Sequence, residues 1–343
     1  MKRRTLALAA AATAAALLTT ACGGGGSGAQ AALDPDKLTV YSSQHENLTK
    51  AWVDAFTAQT GVQVQVRYGK DASMGQQIVT EGASSPADVF LTENSPAMTL
   101  VSGAGLFAPL EAATLAQVPA AMRPSDGRWS GAAARATVLV YNPTLLPKDE
   151  LPTSLMDLAD PAWKGRWGAA ATGADFQAIV SAVLATQGEQ KATAWLDGLK
   201  ANAKVYANNI ATMKAVNAGE VPAGVIYHYY WYRDQAKTKE GSANTALHFF
   251  GDKDPGAFVS ISGAGVLASS KHAADAQRFV AFVTGPKGQK ILADSDAMEY
   301  PVGDGVAANP ALRPLSELDP PAVDPATLNG PKVVELMTGA DIL

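Results

Sequence analysis

The hydrophobic positions of this chain recur with two spacings that alternate along its length. Leu38-Thr39-Val40-Tyr41 is a short extended run. Leu48, Trp52 and Phe56 then fall at the four-residue spacing of one helix face, with Ser42 and Ser43 placed to cap that helix. Gln44, His45 and Glu46 lie at its start. Val62, Val64 and Val66 alternate with polar residues, as a half-buried strand does. The pattern predicts a helix over 74–82 and a strand over 87–91 that runs into Thr92-Glu93-Asn94. A β-α-β-α-β order implies a parallel sheet with crossover helices. Ligands of such sheets bind beyond the carboxyl ends of the strands, and His45 and Glu93 both fall at such ends.

Further on, 137–141 reads as a strand before the Asn142-Pro143 turn, 152–163 as a short helix and a turn, and 167–170 as a strand. Ala171-Thr172-Gly173-Ala174 opens a helix with Phe176, Ile179, Val180, Val183 and Leu184 on its apolar face. Val205 and Tyr206 suggest a short strand. Asn209 is placed to cap a helix holding Ile210, Met213 and Val216, stopped by Gly219. A strand over 258–267 and helices over 274–283 and 287–293 follow, and 328–343 ends as a short helix. Prolines crowd 300–325, which is expected to wrap the surface rather than form core. No period of 20 to 50 residues repeats, which excludes a solenoid.

The stretch that stands out is Tyr227-His228-Tyr229-Tyr230-Trp231-Tyr232. Before it, 223–226 is a short apolar strand; after it, 233–240 is polar and ends at Gly241. The tyrosines therefore sit where a strand hands over to a helix. In a strand Tyr229 and Tyr230 would point to opposite faces, whereas in a first helical turn they diverge by only about 100° and reach one cleft. Phenolate is a hard oxygen donor suited to a hard ion such as ferric iron, and a bound cation holds it deprotonated. The same aromatic run also serves as strand or core packing. His45 alone also reads as a helix-start residue, Glu93 as a helix N-terminal charge, and Arg135 as half of a surface ion pair.

Charged residues make up only 17% of the 343 residues and the formal net charge is −5, which argues against a nucleic-acid partner. The length suffices for two domains. Lys2, Arg3 and Arg4 precede an apolar stretch over 6–18 that is too short to span a membrane, and then Thr19-Thr20-Ala21-Cys22. This resembles a bacterial lipoprotein signal over 1–22 in which Cys22 is lipidated, although Leu18 lies one place further from the cysteine than the usual pattern has it. Ordinary secretion is the alternative. Gly-rich 23–36 reads as a flexible tether. Cys22 is the only cysteine, so no intrachain disulfide is expected.

Several segments then agree with one family. Val40-Tyr41-Ser42-Ser43-Gln44-His45, Ala87-Asp88-Val89-Phe90-Leu91-Thr92-Glu93, Val138-Leu139-Val140-Tyr141-Asn142, Ala215-Val216-Asn217-Ala218-Gly219-Glu220-Val221, Tyr229-Tyr230-Trp231, Asp254-Pro255-Gly256-Ala257 and Ser262-Gly263-Ala264-Gly265-Val266-Leu267 occur in that order. Together they resemble the periplasmic ferric-iron-binding proteins of bacterial ABC transporters over about 38–301. The resemblance implies an α/β, two-lobed periplasmic-binding-protein (type II) fold. Each lobe would be a mostly parallel sheet flanked by helices, with hinge crossovers between lobes. Lobe 1 is expected over 37–135 plus 262–310, and lobe 2 over 136–261 plus 311–343. It implies Fe3+ held by His45, Glu93, Tyr229 and Tyr230, with carbonate, phosphate or citrate as a synergistic anion. Two phenolates and one carboxylate would balance the three charges of the ion. Thr172, Gly173 and Ala174 match the family's anion-binding helix start, with Asn209 and Arg135 as further anion contacts. Close relatives often carry Asn-Asn where this chain has Tyr227-His228; Tyr227 then stands as an additional metal or anion contact. The implied partners are a ferric ion or small ferric chelate, an ABC-transporter permease, and the membrane through the lipid anchor. A monomer is expected, outside the cytoplasm.

Other chemistry finds less support. There is no Gly-x-Ser-x-Gly, His-Glu-x-x-His or Walker loop, and no base for a metal-dependent enzyme that would use phenolate-bound iron. An organic cation, polyamine or thiamine-like, held by an aromatic box of Tyr227, Tyr229, Tyr230, Trp231 and Tyr232 is the alternative binding function. His248 and His272 are expected as surface or filler residues.

Overall fold

The structure, a computed structural model, describes residues 32–343. The expected signal segment with Cys22, and the tether as far as residue 31, lie outside the described residues. Strand β1 (Leu38–Ser42) pairs in parallel with β2 (Val64–Tyr68) and β3 (Val89–Leu91). Helices α1 (Glu46–Thr60) and α2 (Asp71–Glu81) are the crossovers, so the expected β-α-β-α-β unit is present. In α1 the stripe of Leu48, Trp52 and Phe56 is buried, and Gly61 ends the helix at a φ of 76°. The expected serine cap is not there. His45 occupies the N-cap position with no side-chain cap bond; Ser42 Oγ instead faces Thr49 Oγ1 at 2.9 Å, and Ser43 Oγ donates to Asp71.

Helices α3 (Ser95–Gly103) and α4 (Ala112–Leu115) lead to the long strand β4 (Ser130–Tyr141). Pattern alone located only its last five residues. The segment Ser130-Gly-Ala-Ala-Ala-Arg-Ala136 has no β-branched side chain and is buried throughout, so it shows no alternation. These seven residues lie along β9 (Val259–Val266), antiparallel, with a bulge at Gly131/Ala133. Thr137–Tyr141 pairs instead with β7 (Ala223–Tyr227), and Leu139–Tyr141 also with β8 (Ala246–His248). One strand thus passes from one half of the molecule to the other. Beyond β7 lie β5 (Trp167–Ala169) and β6 (Ala203–Val205), both parallel. Among the described residues nine strands form one sheet, ordered β2-β1-β3-β9-β4-β7-β5-β6 with β8 on β4.

The second half carries α5 (Ala174–Gln187), α6 (Glu189–Asn202), α7 (Asn209–Asn217) and α8 (His228–Lys237). Helix α6 was not expected, although Ala192, Trp195, Leu196 and Leu199 repeat at helical spacing and are buried. Helices α9 (Ala273–Thr284) and α10 (Pro286–Asp294) return to the first half, where Phe279, Val280 and Leu292 join Trp52 and Phe56. The last helix, α11 (Gly330–Gly339), sets Val333 and Met337 in one core with Phe176, Ile179 and Trp195. This is the expected two-lobed α/β architecture with crossover strands.

Two expectations are corrected. Asn208, not Asn209, caps α7: its Oδ1 accepts the Ala211 N–H at 2.9 Å. The proline-rich 300–325 segment is not merely a surface wrap. Tyr300, Val302, Leu312 and Leu318 are buried against Ala134, Ala136 and Val259, a small core lying on the crossover strands. No helix among the described residues is long and apolar enough to cross a membrane.

Candidate metal centre

The strand ends of the two halves meet. His45 stands at the mouth of α1 just after β1, Glu93 follows β3, and Tyr229 and Tyr230 occupy the first turn of α8 just after β7. His45 Nδ1 is 3.3 Å from Glu93 Oε1. The His45 ring meets the Tyr229 ring edge-on at 5.3 Å, and Tyr229 stacks on Tyr230 at 4.1 Å between centroids. The four expected ligands are therefore together. Tyr229 is fully buried, and its hydroxyl has no hydrogen-bond partner. A buried hydroxyl left this way is unfavourable unless something else completes it. The Tyr230 hydroxyl donates to Asp175 Oδ2 at 3.0 Å.

Four buried residues of this cluster were missed by the sequence reading. Asp175, in the first turn of α5, accepts bonds from Asn94 Nδ2 (2.9 Å), Asn209 Nδ2 (2.8 Å) and Tyr230. Asp71, which opens α2, accepts the Glu93 N–H at 2.9 Å and Asn94 Nδ2 at 3.1 Å. Asn94 precedes α3. The strand-end rule that found His45 and Glu93 would have found all three, had it been applied at β2 and β5 and one residue beyond Glu93. Glu299 had no such signal. It lies on an irregular segment, yet its Oε1 is 2.7 Å from Arg135 Nη2 and 3.0 Å from His45 Nε2, and its Oε2 accepts Gln44 Nε2 at 3.3 Å.

The expected anion contacts fall as follows. Gly173 is the N-cap residue of α5 and Ala174 its first residue, with Thr172 exposed beside them. Asn209 reaches the site but gives its amide to Asp175. Arg135 is fully buried and is engaged by Glu299 and by the Glu93 carbonyl, to which its Nη1 donates; its guanidinium lies over the Tyr229 ring, 5.6 Å from the centroid. Tyr227 is buried, with its hydroxyl 3.3 Å from Asn94 Oδ1 and 3.2 Å from the Asp175 carbonyl. His228 stacks on Tyr300 at 4.6 Å, and its Nδ1 accepts the Ala136 N–H at 3.1 Å. Burial pushes the His228 imidazole down to about 3, so it is neutral. His248 sits edge-on to Phe250, and the His272 ring meets the Pro35 carbonyl at 2.9 Å.

The aromatic stretch is not an open box. Tyr229 and Tyr230 are stacked face to face, Trp231 Nε1 bonds Thr245 Oγ1 at 3.0 Å, and Tyr232 packs edge-on to Trp231 and His228.

The electrostatics favour a strong cation. Burial first, then nearby carboxylates, lifts the Tyr229 and Tyr230 phenols well above their usual range, Asp175 contributing most among those carboxylates. Burial likewise raises Asp71, and raises Glu93 strongly even though Arg135 pulls the other way. Glu299 is the exception: burial pushes it up, but the Arg135 charge and the His45 contact outweigh that and bring it down to about 2. Among the described residues no three His, Cys, Asp or Glu side chains form a metal-holding group by themselves. A metal here depends on the phenol oxygens.

Two lobes joined by crossover strands, with a polar site at the strand ends between them, define a type II periplasmic binding protein. The chain belongs to the bacterial extracellular solute-binding protein family, whose model matches residues 84–323. It is 60% identical over 316 residues to the Fe(3+)-binding periplasmic protein of Serratia marcescens, covering 92% of this chain and 94% of that one. It is 37% identical over 297 residues to the major ferric iron-binding protein of Neisseria meningitidis serogroup B, covering 85% and 88%. Among solved structures, iron-bound HitA from Pseudomonas aeruginosa superposes with a TM-score of 0.82 at 46% identity, over 89% of this chain and 99% of that one. Trichodesmium IdiA (FutA) in complex with iron and citrate does so with a TM-score of 0.79 at 28% identity, over 90% and 100%. The family consists of binding proteins, not enzymes.

Proposed function

We propose that this chain captures ferric iron outside the cytoplasm, in the cleft between its lobes, and hands it to an ABC-transporter permease. His45, Glu93, Tyr229 and Tyr230 are the ligands. The observation that carries this reading is the fully buried Tyr229 hydroxyl, which has no hydrogen-bond partner in the protein and stands beside His45, Tyr230 and the Arg135 guanidinium at the strand ends of both halves. A trivalent ion displaces the phenol protons and takes the freed oxygens, matching a hard ion to hard donors. The naming of its relatives as ferric-iron-binding proteins supports the choice of metal. Lobe 1 comprises 37–135 and 262–310, and lobe 2 comprises 136–261 and 311–343. Iron bridging them favours the closed form because only that form offers both ligand sets. The monomeric chain is tethered by a lipid on Cys22.

Arg135 and Asn209 are already committed to Glu299 and Asp175. A synergistic carbonate, phosphate or citrate at the α5 N-terminus would therefore share Asn209 with the Asp175 carboxylate and Arg135 with Glu299. Titration of the mature protein with ferric salt, with and without each anion, tests both points. A visible phenolate-to-iron absorption band is expected, and Tyr229→Phe or Tyr230→Phe should abolish or strongly weaken it. A band and affinity unchanged in both variants would refute the site.

A further inference from the structure

Asn94 is fully buried, and its amide has a neighbour on every side. Nδ2 donates to Asp71 Oδ2 at 3.1 Å and to Asp175 Oδ1 at 2.9 Å. Oδ1 faces the hydroxyls of Ser260 at 3.0 Å and Tyr227 at 3.3 Å. The two carboxylates fix which end of the amide carries nitrogen. Asp71 and Asn94 belong to the half built on β1, β2 and β3; Asp175 and Tyr227 belong to the half built on β5 and β7; Ser260 lies on the crossover strand β9.

The chain of bonds runs further in both directions. Asp71 holds the Glu93 backbone N–H, and Asp175 holds the Tyr230 hydroxyl. A proposed ligand from one half and a proposed ligand from the other are thus joined through one amide. Without its two N–H donors, the buried Asp71 and Asp175 carboxyl groups would each lose a hydrogen-bond partner.

We propose that Asn94 is a positioning residue that couples lobe closure to iron retention and does not itself touch the ion. This rests on the ferric-iron reading above. Asn94 stands on one half while Asp175 and Tyr227 stand on the other, so these contacts bridge the halves and favour the closed form wherever opening parts them. They also hold the Asp175 carboxylate against the Tyr230 hydroxyl.

The test uses the full mature chain loaded with ferric iron. Release to excess EDTA is followed by decay of the visible band, alongside small-angle scattering of the loaded protein and the melting temperature of the iron-free protein. In Asn94→Ala the band should keep its position while release accelerates about tenfold or more and the loaded particle is less compact. Asn94→Asp should release faster still, because it places a third carboxylate between the other two. Ser260→Ala, which loosens the carbonyl end of the amide, should show a smaller increase of the same sign and decides the matter if Asn94→Ala does not fold. Release within twofold of the parent in Asn94→Ala, or in Ser260→Ala where that must stand in, overturns the proposal even if the iron-free protein melts lower, since that pattern marks a purely structural residue. Loss of the band in Asn94→Ala overturns it too, since that would make Asn94 part of the ligand set. A parent protein that takes up no iron overturns the functional reading, and this proposal with it.

Discussion

Replacing Tyr229 by Phe should move stability and iron affinity in opposite directions. Where the lobes meet as in this structure, the Tyr229 hydroxyl is buried without a hydrogen-bond partner. A hydroxyl in that state costs about 1–3 kcal/mol of desolvation. Phe keeps the ring that stacks on Tyr230 at 4.1 Å and meets His45 at 5.3 Å, so packing is retained and the penalty is removed. We expect the iron-free variant to be more stable than the parent by about 1 kcal/mol, a rise of about 2 °C in melting temperature for a chain of this size. Its iron affinity should fall by at least about a hundredfold, since loss of even an outer-shell partner of a metal ligand costs about 10–100-fold. Tyr230→Phe is the matched control. That hydroxyl donates to Asp175 at 3.0 Å, so its removal should lower iron-free stability by about 1 kcal/mol while also weakening iron binding. Urea denaturation of chelator-stripped protein measures the first quantity, and competition against a chelator of known affinity the second. A less stable iron-free Tyr229→Phe, or one that binds iron like the parent, would refute the claim that this oxygen is held ready for a metal.

Other outcomes follow from the same geometry. Glu93 and Asp71 bind protons more tightly in the folded chain than in the unfolded one, so their contribution to iron-free stability should fall as pH rises above their ordinary values of 4.5 and 3.8, and Glu93→Gln should flatten that fall in urea midpoints taken across pH. Glu299 has the opposite sign: its contribution is present above 4.5 and is lost as pH drops towards about 2. Glu299→Gln should destabilise the fold by about 3–5 kcal/mol, because the fully buried Arg135 guanidinium loses its charge partner; a denaturant midpoint within error of the parent would contradict this. Gly131→Ala would put a methyl carbon 2.2 Å from the Met122 carbonyl at the β4 bulge, and a loss of about 1–3 kcal/mol is expected by the same measurement.

Much of this site was legible because one rule of parallel sheets operates at each strand end. His45, Glu93 and the tyrosine pair were visible as polar or aromatic residues just beyond short apolar runs. The same rule covers Asp71 after β2 and Asp175 after β5, but a carboxylate in a first helical turn reads equally as a dipole partner, and nothing in the spacing separates the two. Asn94 lay one residue past Glu93 and passed for part of the same turn. Glu299 and the buried side of 300–325 were out of reach, because irregular chain has no period to read and the prolines point to the surface. The first seven residues of β4 were hidden by small side chains, and with them the point at which the chain changes halves.

On the ferric reading, the arrangement of charges also explains why a trivalent ion suits this cleft. Glu299 is already matched by Arg135. Asp175 is satisfied by three donors, from Asn94, Asn209 and Tyr230, and Asp71 by donors that include Asn94 and the Glu93 N–H. Glu93, Tyr229 and Tyr230 are the proposed ligands whose hold on protons is raised, by burial first, and from which a cation can displace them. Ionisation of these three ligands by itself supplies three negative charges for a trivalent ion. A divalent ion leaves either one buried negative charge unmatched or one phenol still protonated and lost as a ligand, and both outcomes weaken binding. Selectivity then rests on counting charge in a largely buried cleft as much as on the hardness of the oxygens, and replacing Glu93 by Gln should narrow the preference for ferric over divalent ions in parallel titrations. An unchanged preference in that variant would show that donor hardness alone sets the selectivity.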